Sequence, residues 1–256
     1  IECMEAGKDV MLDKPGCTSL EQLAEIAKTV ESTKKIFSID FSERFEVPSV
    51  QVAFDLIQKG EIGKVVQTIG MGPHRLNLPT RPDWFFDYEK YGGILCDIAS
   101  HQIDQFLFFT GSTQAEIVSS STGNFAHAEY PKFEDFGEIL IHGDKGRGYI
   151  RVDWYTPDAL PNWGDGRLTI IGTEGYIELR KYVDVVGREG TDHIFLVNKD
   201  RYEYINAASE PLTYFQRLMN DVNERTSTAM DQNHCLKVMK LAITAQMNAK
   251  KMGNLK

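Results

Sequence analysis

The sequence predicts an α/β region followed by an α+β region: part of a Rossmann-type dinucleotide-binding unit, then a large, mostly antiparallel open sheet. Three observations carry this reading. Residues 1–41 alternate helix and short apolar strand, the rhythm of a parallel sheet. From Gly111 to about Ile205 the pattern is strand after strand. Gly143-Asp144-Lys145-Gly146 and Gly172-Thr173-Glu174-Gly175 serve there as hairpin turns. Helical periodicity then returns twice before the C-terminus.

In order along the chain, Glu2 to Ala6 reads as a last helical turn, with Gly7 at the left-handed cap position. Val10-Met11-Leu12 is a short apolar run, as expected of a strand buried on both faces. Thr18-Ser19-Leu20-Glu21 is a capping box, and Leu20, Leu23, Ile26, Ala27 and Val30 follow at helical spacing. Ile36 to Phe41 is the second strand. Pro48 opens a helix that stops at Lys59-Gly60. Val65 to Met71 is a strand, and Pro73 to Lys90 an unusually long irregular connection. Gly92-Gly93 precedes one helix from about Leu95 to Thr110. After the strand-rich stretch, Glu210-Pro211 opens a helix expected to bury Leu212, Phe215, Leu218, Met219 and Val222. A final helix runs from about Asp231 to Met252. The organisation expected is a dinucleotide-domain remnant over 1–43 and an α+β substrate and oligomerisation domain over 44–256, the last helix packing back on the first.

Composition bounds the function. The 256 residues carry 42% apolar and 25% charged side chains, ordinary for a globular chain. The net charge of −9 repels phosphate backbones and anionic lipid, so no nucleic-acid or membrane partner is expected. No apolar run is long enough for a membrane span. Cys3, Cys17, Cys96 and Cys235 form neither zinc spacing nor a disulfide framework, which suits a reducing, cytoplasmic setting. The opening Ile1-Glu2-Cys3-Met4 has no initiator Met and no leader, so the chain reads as starting mid-domain, and secretion stays open.

Chemistry can sit at a few places. Lys14 lies just past an apolar strand, where parallel sheets bind ligands, although most lysines are solvated surface residues. Asp97, His101 and Asp104, at spacings of four and three, fall on one helix face. A carboxylate one turn from an imidazole suits a general base. A surface charge cluster and a divalent-metal site are the rivals. The loop His74-Arg75-Leu76-Asn77, with Arg81 and Trp84, offers hydrogen bonds and a stacking face to a hydroxylated ligand, or forms an interface or lid. Arg44 follows the second strand and can face a ligand at the sheet edge. No phosphate-binding glycine motif passes: Gly70-Met71-Gly72 is followed by Arg75 where a third Gly is needed.

Several segments together resemble the Gfo/Idh/MocA oxidoreductases, the family of glucose–fructose oxidoreductase and inositol dehydrogenases. Residues 5–15 (EAGKDVMLDKP) resemble its AGKHV…EKP segment, and Glu43-Arg44-Phe45 its RF element. Residues 59–65 (KGEIGKV) resemble its SGEIGKV turn, residues 92–104 (GGILCDIASHQID) its GG.L.D.G.H..D motif, and Ile171 to Gly175 its late hairpin. Asp13, Tyr91 and Ala99 depart from the pattern. The resemblance implies an NAD- or NADP-dependent oxidoreductase acting on CH–OH groups of a sugar, polyol or cyclitol. It places the catalytic triad on Lys14, Asp97 and His101, with Asp97 orienting His101. Cofactor contacts are expected on Lys14, Pro15 and Arg44, and substrate contacts on Lys14, Arg75, Asn77, Trp84 and His101. The segment from Trp154 to Trp163 is expected to help shape the pocket. No metal is implied. A homodimer or homotetramer through the open sheet is implied, as is a phosphate-binding turn ahead of Ile1. A glycoside-cleaving enzyme of the same fold and a non-catalytic sugar sensor are the alternatives.

Overall fold

The computed structural model describes residues 1–253. Its first elements are α1 (Glu2–Glu5), β1 (Val10–Asp13), α2 (Leu20–Thr33) and β2 (Phe37–Asp40). β1 and β2 pair in parallel, Val10 opposite Phe37 and Asp13 opposite Asp40, so their carboxyl ends coincide. α2 is capped one residue later than the spacing suggests. Ser19 Oγ accepts from Gln22 N (3.2 Å), and Gln22 Oε1 accepts from Thr18 N (2.9 Å). The expectation for β1 is corrected. Met11 and Leu12 are exposed, because among the described residues β1 has β2 as its one neighbour and lacks a layer over that part of the strand.

Next come α3 (Ser42–Phe45), α4 (Pro48–Gln58) and β3 (Val65–Pro73). Two 3-10 turns, Leu78–Thr80 and Asp83–Phe86, punctuate the long connection before α5 (Tyr88–Tyr91). The single helix expected from Leu95 to Thr110 is two segments, α6 (Ile94–Asp97) and α7 (Ala99–Thr110), separated at Ile98. β4 (Ala115–Gly123), β5 (Phe136–Gly143), β6 (Arg147–Asp153), β7 (Arg167–Gly172), β8 (Gly175–Arg180), β9 (His193–Asn198) and β10 (Tyr202–Asn206) follow. α8 (Tyr214–Glu224), α9 (Gln232–Met247) and the short β11 (Lys250–Lys251) complete the order.

The large sheet runs β10-β9-β8-β7-β3-β6-β5-β4-β11. Only the β3–β6 and β11–β4 pairs are parallel. Period-two alternation puts Ile139, Ile141, Ile150 and Val152 under α6 and α7, and Leu168, Ile170, Ile177, Leu179, Ile194 and Leu196 near α4. α7 lies directly on β3. A Cβ at Gly70 would stand 2.9 Å from Gln102 Cγ, and one at Gly72 3.1 Å from Ile98 Cγ2. The Gly70-Met71-Gly72 run therefore serves helix-to-sheet approach.

α9 buries Cys235, Val238, Met239 and Ala242 against α6, α7 and β2. It stops at Met247, short of the expected Met252, and Lys250–Lys251 join β4 instead. α8 departs further. Tyr214 stacks on Phe45 at 3.7 Å and shares a 2.7 Å hydrogen bond with Ser38. Leu212, Phe215 and Met219, expected to be buried, are exposed. The helix buries Tyr214 and Asp221 instead, and Leu212 lies ahead of its first turn, because period alone does not say which face is covered.

Candidate active site

The coincident ends of β1 and β2 bring Lys14 against the α6–α7 junction. Lys14 Nζ donates to Asp97 Oδ1 at 2.6 Å, and both side chains are mostly buried. Asp97 is the last residue of α6, and the interruption at Ile98 separates it from the His101 helix. The expected Asp97–His101 contact is therefore absent. Asp97 Oδ2 and His101 Nδ1 are both buried without a hydrogen-bond partner among the described residues. Asp97 holds Lys14, and it does not orient His101.

Asp104 turns to another flank. Arg44 grips it with Nε and Nη2 at 2.6 and 2.7 Å, and His234 Nε2 lies 2.8 Å from its Oδ1. Burial favours the protonated Asp104 carboxyl, and Arg44 and His234 more than offset this, holding it below the usual range. Two expectations fail here. The three residues at spacings of four and three do not converge, which removes the metal reading built on them. Arg44 is committed to a bidentate ion pair between Phe45 and Phe108, so its fork is not available to a cofactor.

The strongest charge beside His101 comes from residues that spacing did not reveal. Glu43, on α3, and Lys181, just after β8, form a buried ion pair of 2.7 Å. Gln102 Nε2 donates to the same Glu43 oxygen (3.0 Å), and Lys181 Nζ also donates to Gln105 Oε1 (2.8 Å). Both glutamines lie on α7 just after His101, and Gln105 Nε2 donates to the His101 carbonyl at 3.2 Å. Burial pushes the His101 imidazole down to about 3; Glu43 pulls it up, while Lys14, His74 and Lys181 push it down. Burial would raise Glu43, but Lys181, His101 and His74 hold it at about 2. His101 is thus neutral near pH 7, as a proton acceptor must be.

The lowered His101 value has a consequence for stability. Between about pH 6.5 and 3 the unfolded chain takes up a proton at this imidazole and the folded chain does not. Stability therefore falls as pH falls through that window. His101→Asn should flatten the fall of the unfolding midpoint between pH 6.5 and 4, and an unchanged slope would contradict the buried neutral state.

The substrate-side expectations divide. Arg75 donates from Nη2 to the carbonyls of Pro157 (2.9 Å) and Leu160 (2.6 Å), so it clamps a loop and is not free for a ligand. Asn77 is exposed in the left-handed region, φ 50°, and its carbonyl accepts from Thr80. Trp84 is half exposed beside Phe85. His74 and Trp154, by contrast, meet edge to face at 5.4 Å close to where β3 abuts α7. Trp163 is partly exposed and packs on His74 at 4.5 Å. Burial lowers the His74 imidazole, with Lys14 adding to the effect and Glu43 opposing it, so this second imidazole belongs to the same electrostatic neighbourhood.

The order of these parts matches a known group. The GFO/IDH/MocA C-terminal domain aligns with residues 50–178, half of the chain. The chain belongs to the GFO/IDH/MocA family. It is 28% identical over 202 residues to scyllo-inositol 2-dehydrogenase (NAD(+)) of Bacillus subtilis, covering 75% of this chain and 55% of that protein. The GFO/IDH/MocA chain thus spans about half the length of curated relatives it matches. Among solved structures, a protein of Erwinia carotovora atroseptica superposes with a TM-score of 0.95 at 48% identity, covering 98% of this chain and 75% of that one. Myo-inositol 2-dehydrogenase from Lactobacillus plantarum shares the fold, with a TM-score of 0.72 at 20% identity over 96% and 73% of the two chains.

Proposed function

We propose that the intact protein is an NAD- or NADP-dependent oxidoreductase acting on a CH–OH group of a polyhydroxylated substrate. The observation that carries this is the Lys14–Asp97 pair at 2.6 Å beside a buried, neutral His101. The residues fit such chemistry, because Asp97 Oδ2 is a buried polar atom left without a partner by the protein itself and His101 Nε2 is the ring nitrogen that is not sealed in. When bound, a nicotinamide supplies the hydride acceptor or donor. Lys14 and Pro15, at the carboxyl end of β1, would border it.

The chain's own groups then divide the work. Lys14 donates a hydrogen bond to the carbinol oxygen and stabilises negative charge developing there. Asp97 holds the ammonium in place. His101 takes the hydroxyl proton at Nε2, the ring nitrogen that is not sealed in the interior without a partner. Glu43, close by, stabilises the imidazolium that results. Relatives named as inositol dehydrogenases support a sugar, polyol or cyclitol as substrate. The outer sheet face, with exposed Tyr176, Tyr202 and Val118, is the surface we assign to a homodimer or homotetramer. Among the described residues no helix is long and apolar enough to cross a membrane.

A screen of sugars, polyols and cyclitols against NAD and NADP, with the intact protein, tests the reading. At least one substrate-dependent rise in reduced cofactor is expected. No rise with any combination, or aryl-glycoside cleavage without accumulated reduced cofactor, would sink it.

A further inference from the structure

The connection between β3 and α5 holds a cation that the protein does not neutralise. Arg81 Nε donates to Leu76 O at 2.8 Å. Its guanidinium lies 4.5 Å over the Phe85 ring and 5.0 Å over Trp154. These contacts fix the plane of the group and occupy one donor. Among the described residues, Nη1 and Nη2 have no hydrogen-bond partner, and no carboxylate is within ion-pair distance.

The neighbouring cations are all engaged. Lys14 is held by Asp97, Lys181 by Glu43, Arg44 by Asp104, and Arg75 by backbone carbonyls. A half-buried guanidinium without a counter-ion is costly, and burial indeed weakens its hold on the proton while Asp97 partly restores it. Trp154, under Arg81, meets His74 edge to face at 5.4 Å, and His74 Nδ1 lies 3.1 Å from Gly72 O where β3 abuts α7, so this run of contacts joins Arg81 to the helix that carries His101. The Trp154 Nε1–H beneath Arg81 is sealed in the interior, so the free donors at this end are the two Nη groups of Arg81.

We propose that Arg81 is a specificity-determining residue that grips a carboxylate on the substrate, so that the substrate is an acidic sugar derivative such as an aldonate or uronate. The proposal rests on the redox reading for the role of the cleft and adds the charge of what enters it. A guanidinium fork matches a carboxylate with two parallel hydrogen bonds, and a low-dielectric aromatic bed strengthens them. One guanidinium suits a single negative charge better than a phosphate dianion. Asp13, at the end of β1, would repel an anion there, which directs the carboxylate to Arg81 and a hydroxyl to Lys14 and His101.

Calorimetric titration of the intact protein with matched pairs tests this: D-gluconate against D-glucitol, D-glucuronate against D-glucose, and D-glucose 6-phosphate as the competing anion. At least one acid should bind about tenfold or more tightly than its neutral partner, as an added charge-assisted pair implies. Arg81→Gln should abolish that preference and leave neutral-sugar affinity unchanged, and Arg81→Lys should retain part of it with the unfolding midpoint preserved. No acid outbinding its neutral partner, or Arg81→Gln weakening both members of a pair alike, overturns the proposal. A preference for the phosphate overturns the carboxylate assignment. Arg81-dependent binding of an acid without any reduced cofactor formed would keep the recognition role and refute the redox reading instead.

Discussion

Replacing His101 by Asn in the intact protein should lower turnover of the best substrate by about 10²–10⁴-fold, the range a positioned proton acceptor contributes. Lys14→Met should cost about 10²–10³-fold, since it removes the donor aimed at the reacting oxygen. Cofactor affinity should change little in His101→Asn. Asp97→Asn separates the arrangement described here from one in which Asp97 backs the imidazole. With Asp97 bound to Lys14, the substitution should depress turnover without moving the acid limb of the pH–rate profile toward lower pH. Steady-state kinetics from pH 3 to 9 read all three variants. Near-unchanged turnover in His101→Asn removes the mechanism.

Lys181→Met should produce the largest loss of stability, about 3–5 kcal/mol, because it strands the Glu43 carboxylate in the interior. The pair itself need not be a net stabiliser, since two desolvated charges cost several kcal/mol before they attract one another. Glu43→Gln combined with Lys181→Met should therefore recover most of the loss. Urea unfolding of the two single variants and the double variant measures the coupling. Additive losses would mean that the two side chains do not act as a pair.

How much of this was legible in the sequence follows from the range of each interaction. Local signals worked. The hairpin glycines, Pro48 at a helix start, Gly111 at a helix end and the period-two strands all report on backbone preferences within a few residues. Lys14, Asp97 and His101 were singled out by a resemblance to a family pattern. Their connectivity was not, because spacing places Asp97 and His101 one turn apart only if the helix is continuous, and the interruption at Ile98 leaves no local mark. The Glu43–Lys181 pair joins positions 138 residues apart, which no periodicity can link. A Glu beside the Arg44-Phe45 element was the nearest hint. Arg44 and Arg75 were assigned outward because arginines usually are, whereas buried Asp104 and the carbonyls of the 157–160 turn claimed them first.

The central position of β3 bears on how the molecule assembles. β4, β5 and β6 form one ribbon of sequential hairpin neighbours, and β7 to β10 form another. Each ribbon closes short loops and can form early. Among the described residues they share no direct pairing: β6 and β7 are joined through β3, which enters parallel to one and antiparallel to the other from far upstream in the chain. This topology predicts that the slow event in folding is the capture of β3 between the two ribbons, with α7 settling over its glycines as the latch. Lesions in β3 should slow refolding, whereas those in β10, at the rim, should mainly hasten unfolding.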